Sequence, residues 1–334
     1  MRSQNRTILF SAVLMLMLIL DTATMVQGAK DGVLLCIQTV VPALFPFFVI
    51  SGVLNSGLNG ISIPGFGLIR RLCRIPRGAD SIFLLGILGG YPVGAKCIAE
   101  AYESGAISKN NGRRMLGFCS NCGPSFIFGI CSSLFTVSGA SAALWIIQIL
   151  SAMITGYFLP GECSTNEVHL TGKPATITAS LKTSIKTMAE VCGWVILFRV
   201  IIQMLRKWLI WLLPEYVSML MFGVLELTNG CIMLSNICFE PLRFVVCSVI
   251  LSFGGLCVMM QTVSVTASCG LGLYIPGKIV QTFFSAALSV IVSFFLYFGS
   301  VSTLWPVISA LTILLAGFGA AIIKKDSIQK KSVV

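Results

Sequence analysis

Charged side chains are scarce in this chain of 334 residues: they account for 10% of the sequence, against 56% for hydrophobic residues. Soluble globular domains carry about 25% charged residues, so the composition excludes a cytosolic enzyme, a nucleic-acid-binding protein and a disordered chain. What remains is a polytopic membrane protein whose main partner is the lipid bilayer. The net charge of +11 is typical of the positive-inside bias of such proteins, because the basic residues lie between apolar runs.

Groups suited to catalysis or metal binding are scarce as well. His169 is the only histidine in the sequence, so a nucleophile would lack a histidine partner, and neither an HExxH motif nor a nucleophile elbow occurs. Most of the 13 cysteines lie in apolar runs, where cysteine acts as a small hydrophobic residue. Cys119 and Cys122 form a CxxC motif without a second pair, which favours helix packing over a metal or redox site. We therefore expect no enzyme activity, no metal and no cofactor.

The apolar runs predict an all-α protein with about eight transmembrane helices, since a span needs about 20 mostly apolar residues. The predicted spans are residues 8–26, 33–54, 115–135, 140–159, 187–205, 242–262, 279–298 and 303–323. The first run could also be a signal peptide, but its length and the span that follows at once favour a retained helix.

Two further apolar runs are broken in the middle and predict re-entrant helical hairpins. Residues 82–99 contain a glycine-rich break that ends in Pro92. Residues 216–237 are interrupted by polar residues, namely Glu226, Thr228 and Asn229. Helix-breaking residues at the centre of a run argue against one straight helix, whereas two half-helices that meet at a tip fit a hairpin that enters and leaves on one side of the membrane.

The distribution of basic residues supports this layout. With the N-terminus inside, it places 17 of the 23 lysines and arginines in cytoplasmic segments, among them Arg114 and Lys278, and four outside, among them Lys30. The other two, Lys96 and Arg199, lie in the membrane. Making either hairpin a full span would reverse every later segment and remove the positive-inside bias. We therefore expect a multi-pass protein of the cell membrane with both termini cytoplasmic.

The sequence divides into two halves that share a plan of span, hairpin and span. We predict an N-terminal transmembrane helix at 1–28, a first repeat at 29–160, a polar loop at 161–186, a second repeat at 187–300, a last transmembrane helix at 301–323 and a basic tail at 324–334. The layout gives the repeats opposite orientations, as in secondary transporters that bind solute at the midplane between broken helices. A duplication kept only for packing is the alternative.

Glu226, at the tip of the second hairpin, is the strongest candidate site residue, because a carboxyl at bilayer depth is costly unless it is paired, hydrated or protonated. It could accept hydrogen bonds from a small polar solute or carry a coupling proton or sodium ion; a structural bond to the other half is the alternative. Lys96 in the first hairpin could bind an anion, pair with an acid or extend toward the inner face. Asn121 and Gln261 could contact the solute or bond to neighbouring helices.

Four segments stand out as motifs: PALFPFF at 42–48, GGYPVGAK at 89–96, FCSNCGPSF at 118–126 and SFGGL at 252–256. In sequence and order they resemble the sporulation integral membrane proteins of the YlbJ type. That type is placed in the nucleoside recognition, or Gate, domain family. The family also contains spore maturation proteins, the membrane part of ferrous-iron transporters and, more distantly, the concentrative nucleoside transporters.

The resemblance implies a role in endospore formation, at assembly of the spore cortex, and two inverted Gate-like repeats that resemble the core of the concentrative nucleoside transporters. In those transporters the hairpin tips and the helices that follow them bind the solute. By position, this implies solute contacts from Gly90, Tyr91, Pro92, Glu226, Thr228, Asn229, Asn121 and Gln261. The Gln-Thr-Glu hairpin motif of the transporters is replaced here by Gly-Tyr-Pro.

Together these observations predict a permease-like transporter or sensor of a small polar solute, nucleoside-like solutes included, that works by alternating access during sporulation. A homo-oligomer is compatible with this prediction, and nucleic acid is not expected as a partner. The alternative is a non-transporting membrane scaffold for spore envelope assembly. An ion channel or iron permease is a weaker third hypothesis.

Overall fold

The computed structural model describes residues 2–58, 61–160 and 176–298, and all regular structure in these ranges is helical. The α-helices are α1 Arg2–Leu20, α2 Thr22–Leu35, α3 Val41–Leu58, α4 Gly67–Cys73, α5 Asp80–Gly89, α6 Val93–Glu103, α7 Lys109–Cys119, α8 Pro124–Gly129, α9 Ala140–Phe158, α10 Ile177–Leu209, α11 Glu215–Leu225, α12 Leu227–Met233, α13 Glu240–Phe253, α14 Gly255–Val265 and α15 Tyr274–Phe298. A π-helix, Cys36–Val40, joins α2 to α3, and short 3-10 turns follow α8, α10 and α12.

Within the described residues, five helical segments are long and apolar enough to cross a membrane. They are Thr22–Leu58, Ala140–Phe158, Ile177–Leu209, Glu240–Val265 and Tyr274–Phe298. The prediction of an all-helical, multi-pass membrane protein is therefore confirmed. The count of eight spans, the nucleoside-transporter-like core and the cytoplasmic position of the termini stay predictions.

The N-terminal part differs from the expected two spans joined by an outer loop. The chain breaks at Asp21, whose carboxylate accepts a hydrogen bond from the Thr24 amide (3.4 Å) and so caps α2. From there the helix continues without a loop through α2, the π-helix and α3, so Lys30 lies inside a helix. The stretch stays helical because it packs along α10, where Asp31 accepts a hydrogen bond from Gln203 (2.8 Å).

Two glycines allow α2 to lie directly against α10. Gly28 and Gly32 have the GxxxG spacing, and a Cβ on either would lie 2.9 Å from the α10 backbone, at the Cα atoms of Val200 and Ile196. Small residues with this spacing permit close approach of membrane helices. The contact fixes the N-terminal helix to the second half of the chain.

Both expected hairpins are present as pairs of packed half-helices. α5 and α6 are joined through Gly90, which has a positive φ of 78°, and α11 and α12 meet at Glu226. In the second hairpin the arms touch through glycines, because a Cβ on Gly230 would clash with the Cα of Gly223. Entry and exit of each hairpin on one side of the membrane stays a prediction.

The two spans that follow the hairpins are interrupted, although the sequence analysis predicted them as continuous. The span expected at 115–135 is divided into α7 and α8 by the non-helical residues 120–123, because the proline that opens α8 disfavours helical backbone in the residue before it. The span expected at 242–262 turns at Gly254 and Gly255. Their φ angles of 80° and 85° are accessible to glycine but costly for other residues.

Apart from the short helix α4, the order of the α-helices is the same in both halves. In the first half it is α3, the hairpin α5–α6, the broken helix α7–α8 and α9; in the second half it is α10, the hairpin α11–α12, the broken helix α13–α14 and α15. The halves pack through their closing helices, since α15 contacts both α9 and α7. The opposite orientation of the repeats stays a prediction.

Two of the predicted segment boundaries fall inside helices. The boundary between residues 28 and 29 falls inside α2, and α10 begins at Ile177, within the predicted polar loop. Most of that loop, residues 161–175, and the predicted last span and basic tail lie outside the described residues.

Two basic residues that the sequence analysis placed in cytoplasmic segments are buried. Arg114 is 4% exposed and donates to carbonyls in the last turns of α4 and α9, among them that of Cys73 (2.8 Å) and that of Gly156. Such carbonyls have no partner within their own helix, so the guanidinium closes two helix ends at once. Lys278 is 2% exposed and lies where α15 meets α7. Both residues are therefore buried in protein and not solvated as expected, whereas the side of the membrane on which they lie stays a prediction.

Candidate functional site

The two hairpin tips meet around a cavity of about 500 Å³, a volume typical of small-molecule sites. The first hairpin contributes Gly90 and Tyr91 to its wall, and the second contributes Glu226 and Thr228. Gln261 reaches the cavity from α14. Five of the nine predicted site residues therefore line one cavity, although they come from distant parts of the sequence.

The remaining wall mixes apolar and neutral polar groups. The π-helix contributes Gln38 and Thr39, and the segment from the α7–α8 break into α8 contributes Ser125 and Phe126. π-helical turns are rare and often lie at functional sites. The sequence analysis did not single out this turn, because the residues of Cys36–Val40 carry no motif that distinguishes a π-helix from an α-helix.

Glu226 is held in place by its own hairpin. It precedes α12, and its carboxylate accepts hydrogen bonds from the backbone amides of Thr228 (2.9 Å) and Asn229 (2.8 Å) and from the Asn229 side chain (2.7 Å). These amides would otherwise have no partner at the start of the helix. The predicted residue Asn229 thus positions the carboxylate and does not line the cavity.

Glu226 has no basic ion-pair partner within the described residues. The residue is 4% exposed, and that exposed part faces the cavity. Among the described residues it is the one acidic group on the cavity wall, and when ionised it would attract a cation or a hydrogen-bond donor.

Tyr91 extends from the first hairpin into the broken helix of the second half. Its hydroxyl donates to the carbonyl of Ser252 (3.2 Å) and lies 3.4 Å from that of Leu251. Both carbonyls belong to the last turn of α13, where helical partners are missing. A side chain at Gly254 would meet the Tyr91 ring, since a Cβ there would lie 3.1 Å from Cζ. Tyr91 therefore closes a helix end that the second half leaves open.

Lys278, from the second half, bonds to the broken helix of the first half, just as Tyr91 bonds to that of the second. Its ammonium donates to the Ser120 carbonyl, next to the end of α7, to the Tyr91 hydroxyl (2.9 Å) and to the Gln281 side chain (2.7 Å). All three N–H groups are therefore used. Gln281 in turn donates to the side-chain oxygen of Asn121 (2.7 Å), so this network joins both broken helices beside the cavity.

The sequence analysis missed Lys278 as a buried residue, although a signal was present. On α15 the buried polar residues recur every three or four positions, as Lys278, Gln281, Ser285, Ser289 and Ser293. That spacing places them on one face of a helix, and a polar stripe in an apolar span indicates contact with protein and not with lipid.

Four predicted site residues lie outside the cavity wall: Pro92, Lys96, Asn121 and Asn229. Lys96 bonds to Ser184 on α10 (3.3 Å) and pairs with Glu100 (3.8 Å) one turn along α6. It therefore does not line the cavity and pairs with an acid, one of the roles that the sequence allowed. Asn121 bonds to Gln281, as the alternative of interhelical bonding predicts.

Gln261 is the predicted amide with the greatest freedom to bind a solute. Its side-chain nitrogen lies 3.4 Å from the sulfur of Cys257, and a thiol is a weak acceptor. With Glu226 and Thr228 it forms the polar part of the wall on the side of the second half. The arrangement offers a carboxylate, an amide and a hydroxyl to one small molecule.

Comparison with known proteins confirms the resemblance that the motifs indicated. The chain is 24% identical over 285 residues to the "Sporulation integral membrane protein YlbJ" of Bacillus subtilis (strain 168), covering 72% of this chain and 70% of that protein. No family model matches the chain. No solved structure matches it either. The chain is thus similar to a sporulation integral membrane protein of the YlbJ type.

Proposed function

We propose that this chain is a permease-like protein of the cytoplasmic membrane that binds a small polar solute between its two hairpin tips during sporulation. The observation that carries the proposal is the cavity of about 500 Å³ whose wall holds the carboxylate of Glu226, which forms no ion pair within the described residues. Its similarity to a sporulation integral membrane protein supports the biological setting.

The polar and apolar residues of the cavity wall would contact different parts of a bound solute. Glu226, Thr228 and Gln261 supply hydrogen-bonding groups, while apolar residues such as Val191 and Val258 cover the less polar faces of a bound solute. A solute that carries a hydrogen-bond donor or a positive charge would satisfy the carboxylate. A coupling proton or a sodium ion at Glu226 would do the same.

Movement of a hairpin would expose the cavity to one side of the membrane at a time. The tips are joined to their half-helices at Gly90 and Glu226, where helical geometry is interrupted. Alternating access of this kind, around a site at the meeting point of broken helices, is the mechanism of many transporters built from inverted repeats.

Ligand-induced thermal stabilisation of the detergent-purified protein tests the proposal. The panel contains nucleosides, nucleobases, amino acids, peptidoglycan precursors, dipicolinate and sodium. A ligand present at 100 times its dissociation constant adds about 2.7 kcal/mol to the stability of the folded state. We expect one class of solute to raise the unfolding temperature of the wild type and of Glu103→Gln, a change at an exposed carboxyl, but not of Glu226→Gln.

A panel without any stabilising solute, measured on well-folded protein, would contradict solute binding. The chain would then be better explained as a scaffold for spore envelope assembly. In that case Glu226→Gln should also leave sporulation intact, whereas loss of sporulation with normal membrane insertion supports the permease.

A further inference from the structure

Three buried cysteines converge behind the wall of the cavity. Cys131 lies in the 3-10 turn after α8, Cys231 in α12 and Cys247 in α13. Each is fully buried at 0% exposure, and their Sγ atoms all lie within 4.8 Å of one another. They come from three separate elements and from both halves of the chain.

Packing alone does not require three cysteine sulfur atoms to lie so close together. A buried cysteine can serve as a small hydrophobic residue, but that role does not need three sulfur atoms to face one point. Across the described ranges this is the one group of three or more histidine, cysteine, aspartate or glutamate side chains whose ligand atoms approach so closely. The motif that drew attention in the sequence, Cys119 and Cys122, is not part of it.

The chemistry of the group selects the kind of ion that it can hold. Sulfur ligands favour soft metal ions such as Cu(I) and Zn(II). Structural zinc takes four ligands in a tetrahedron, and within the described part of the chain the cluster offers only three. A three-coordinate ion fits better. With metal–sulfur bonds of about 2.3 Å, a planar three-coordinate ion holds its sulfur atoms about 4.0 Å apart. The Sγ atoms here lie within 4.8 Å of one another, so any two of them must move together by less than about 1 Å to bind such an ion.

We propose that Cys131, Cys231 and Cys247 form a three-coordinate thiolate site for a soft monovalent metal ion, with Cu(I) as its type. Each thiol that becomes a thiolate ligand releases one proton, so affinity rises with pH. The shell is apolar, since the cluster belongs to the same buried core as Phe222 and Phe244, and hard cations prefer oxygen ligands over sulfur.

The site is distinct from the proposed solute cavity. None of the three cysteines lines the cavity, although their neighbours Ile130 and Leu227 do. A bound ion would tie the second arm of the hairpin α11–α12 to the turn after α8 in the first half. Metal binding and solute binding can therefore be tested separately, and failure of one leaves the other standing.

Anaerobic titration of the reduced, full-length protein with Cu(I) against a competing Cu(I) chelator tests the proposal. We expect one ion per chain to resist the chelator, with three sulfur neighbours at about 2.3 Å in the X-ray absorption spectrum. Cys131→Ala, Cys231→Ala and Cys247→Ala should each weaken binding by about 100-fold or more, since loss of even a supporting outer ligand costs 10–100-fold. Cys97→Ala, at a buried cysteine outside the cluster, should leave it unchanged.

Two outcomes would overturn the assignment. One is a wild-type spectrum with two sulfur neighbours or with none. The other is equal loss of Cu(I) in Cys97→Ala and in the three cluster variants, which would indicate scattered binding by many thiols. If an alanine variant does not fold, the corresponding serine variant, which keeps the side-chain size, takes its place, and the wild-type spectrum decides independently of any variant.

Discussion

At the scale of single residues, the buried charged groups Glu226 and Lys278 differ in what they contact. Glu226 faces the cavity with a carboxylate that its own hairpin positions, whereas Lys278 faces other parts of the protein and has no hydrogen left to donate. Both are at most 4% exposed, and a charged group buried at bilayer depth is costly. We therefore assign Glu226 to the proposed solute site, whereas Lys278 joins α15 to the first half of the chain.

Replacing Lys278 with methionine should destabilise the protein. The substitution keeps the apolar stem but leaves the Ser120 carbonyl, the Tyr91 hydroxyl and the Gln281 side chain without their shared donor. Each buried group that loses its partner costs about 1–3 kcal/mol, so we expect a loss on the order of 3 kcal/mol or more. The measurement is the thermal unfolding midpoint in detergent.

The matched control for this change is Lys182→Met, at an exposed position on α10. Its unfolding midpoint should stay near that of the wild type, because a solvated lysine contributes little to stability. Equal midpoints for both variants would show that the network around Lys278 does not stabilise the fold.

The sequence predicted these two residues unequally, for a physical reason. Glu226 interrupts an apolar run, so its position at bilayer depth is visible locally. Lys278 lies one residue before a predicted span, where a basic residue is ordinarily solvated. Its burial depends on contact with α7 and the first hairpin, which are more than 150 residues away, and no local pattern reports such a contact.

At the scale of elements, close approach through glycine determines which helices pair. The contact of α2 with α10 depends on Gly28 and Gly32, and the two arms of the second hairpin meet through Gly223 and Gly230. Where a Cβ would meet backbone and not a flexible side chain, the neighbour must move as a whole. Such positions should be sensitive to the smallest possible substitution.

Gly28→Ala should separate α2 from α10 and lower stability by about 1–3 kcal/mol, the usual cost of overpacking. The control is Gly193→Ala on α10, where a Cβ meets nothing within 4 Å. There alanine should stabilise the helix by up to about 1 kcal/mol, because glycine is the poorer helix former. Thermal unfolding of both variants measures the difference, and the same sign for both would contradict this packing argument.

Elements could be predicted from the sequence wherever the break was chemically marked. Glycine and proline around Gly90, and polar residues around Glu226, indicated both hairpins correctly. The interruption of the span at 115–135 was missed because its polar residues were interpreted as groups on a continuous helix. The N-terminal outer loop was predicted between the spans at 8–26 and 33–54, with Lys30 outside, but Asp31 bonds to α10 and the backbone stays helical.

At the scale of the whole molecule, the fold makes a prediction about sidedness that does not depend on the orientation of the termini. Cys238 follows the second hairpin and is exposed, and Cys163 precedes α10 in the sequence. One long helix and one hairpin separate them. If the hairpin re-enters, the two thiols lie on opposite sides of the membrane; if it crosses, they lie on the same side.

A membrane-impermeant thiol reagent applied to intact cells distinguishes the two arrangements. Cys163→Ser leaves Cys238 as reporter, and Cys238→Ser leaves Cys163. We expect one of the two variants to be labelled in intact cells and the other only after permeabilisation, because a re-entrant hairpin returns the chain to the side from which it came. Labelling of both in intact cells, or of neither before permeabilisation, would contradict re-entry.

The reciprocal closure of the broken helices has a consequence for how the protein is made. During synthesis the Ser120 carbonyl has no donor until Lys278 is added, 158 residues later. The Tyr91 hydroxyl has no acceptor until Ser252 is added, 161 residues later. A ribosome adds about 5–20 residues per second, so the nascent first half spends about 10–30 s in the membrane with an open helix end. Because lipid cannot hydrogen-bond the carbonyls at that helix end, water or the insertion machinery must bond to them until the second half has been synthesised.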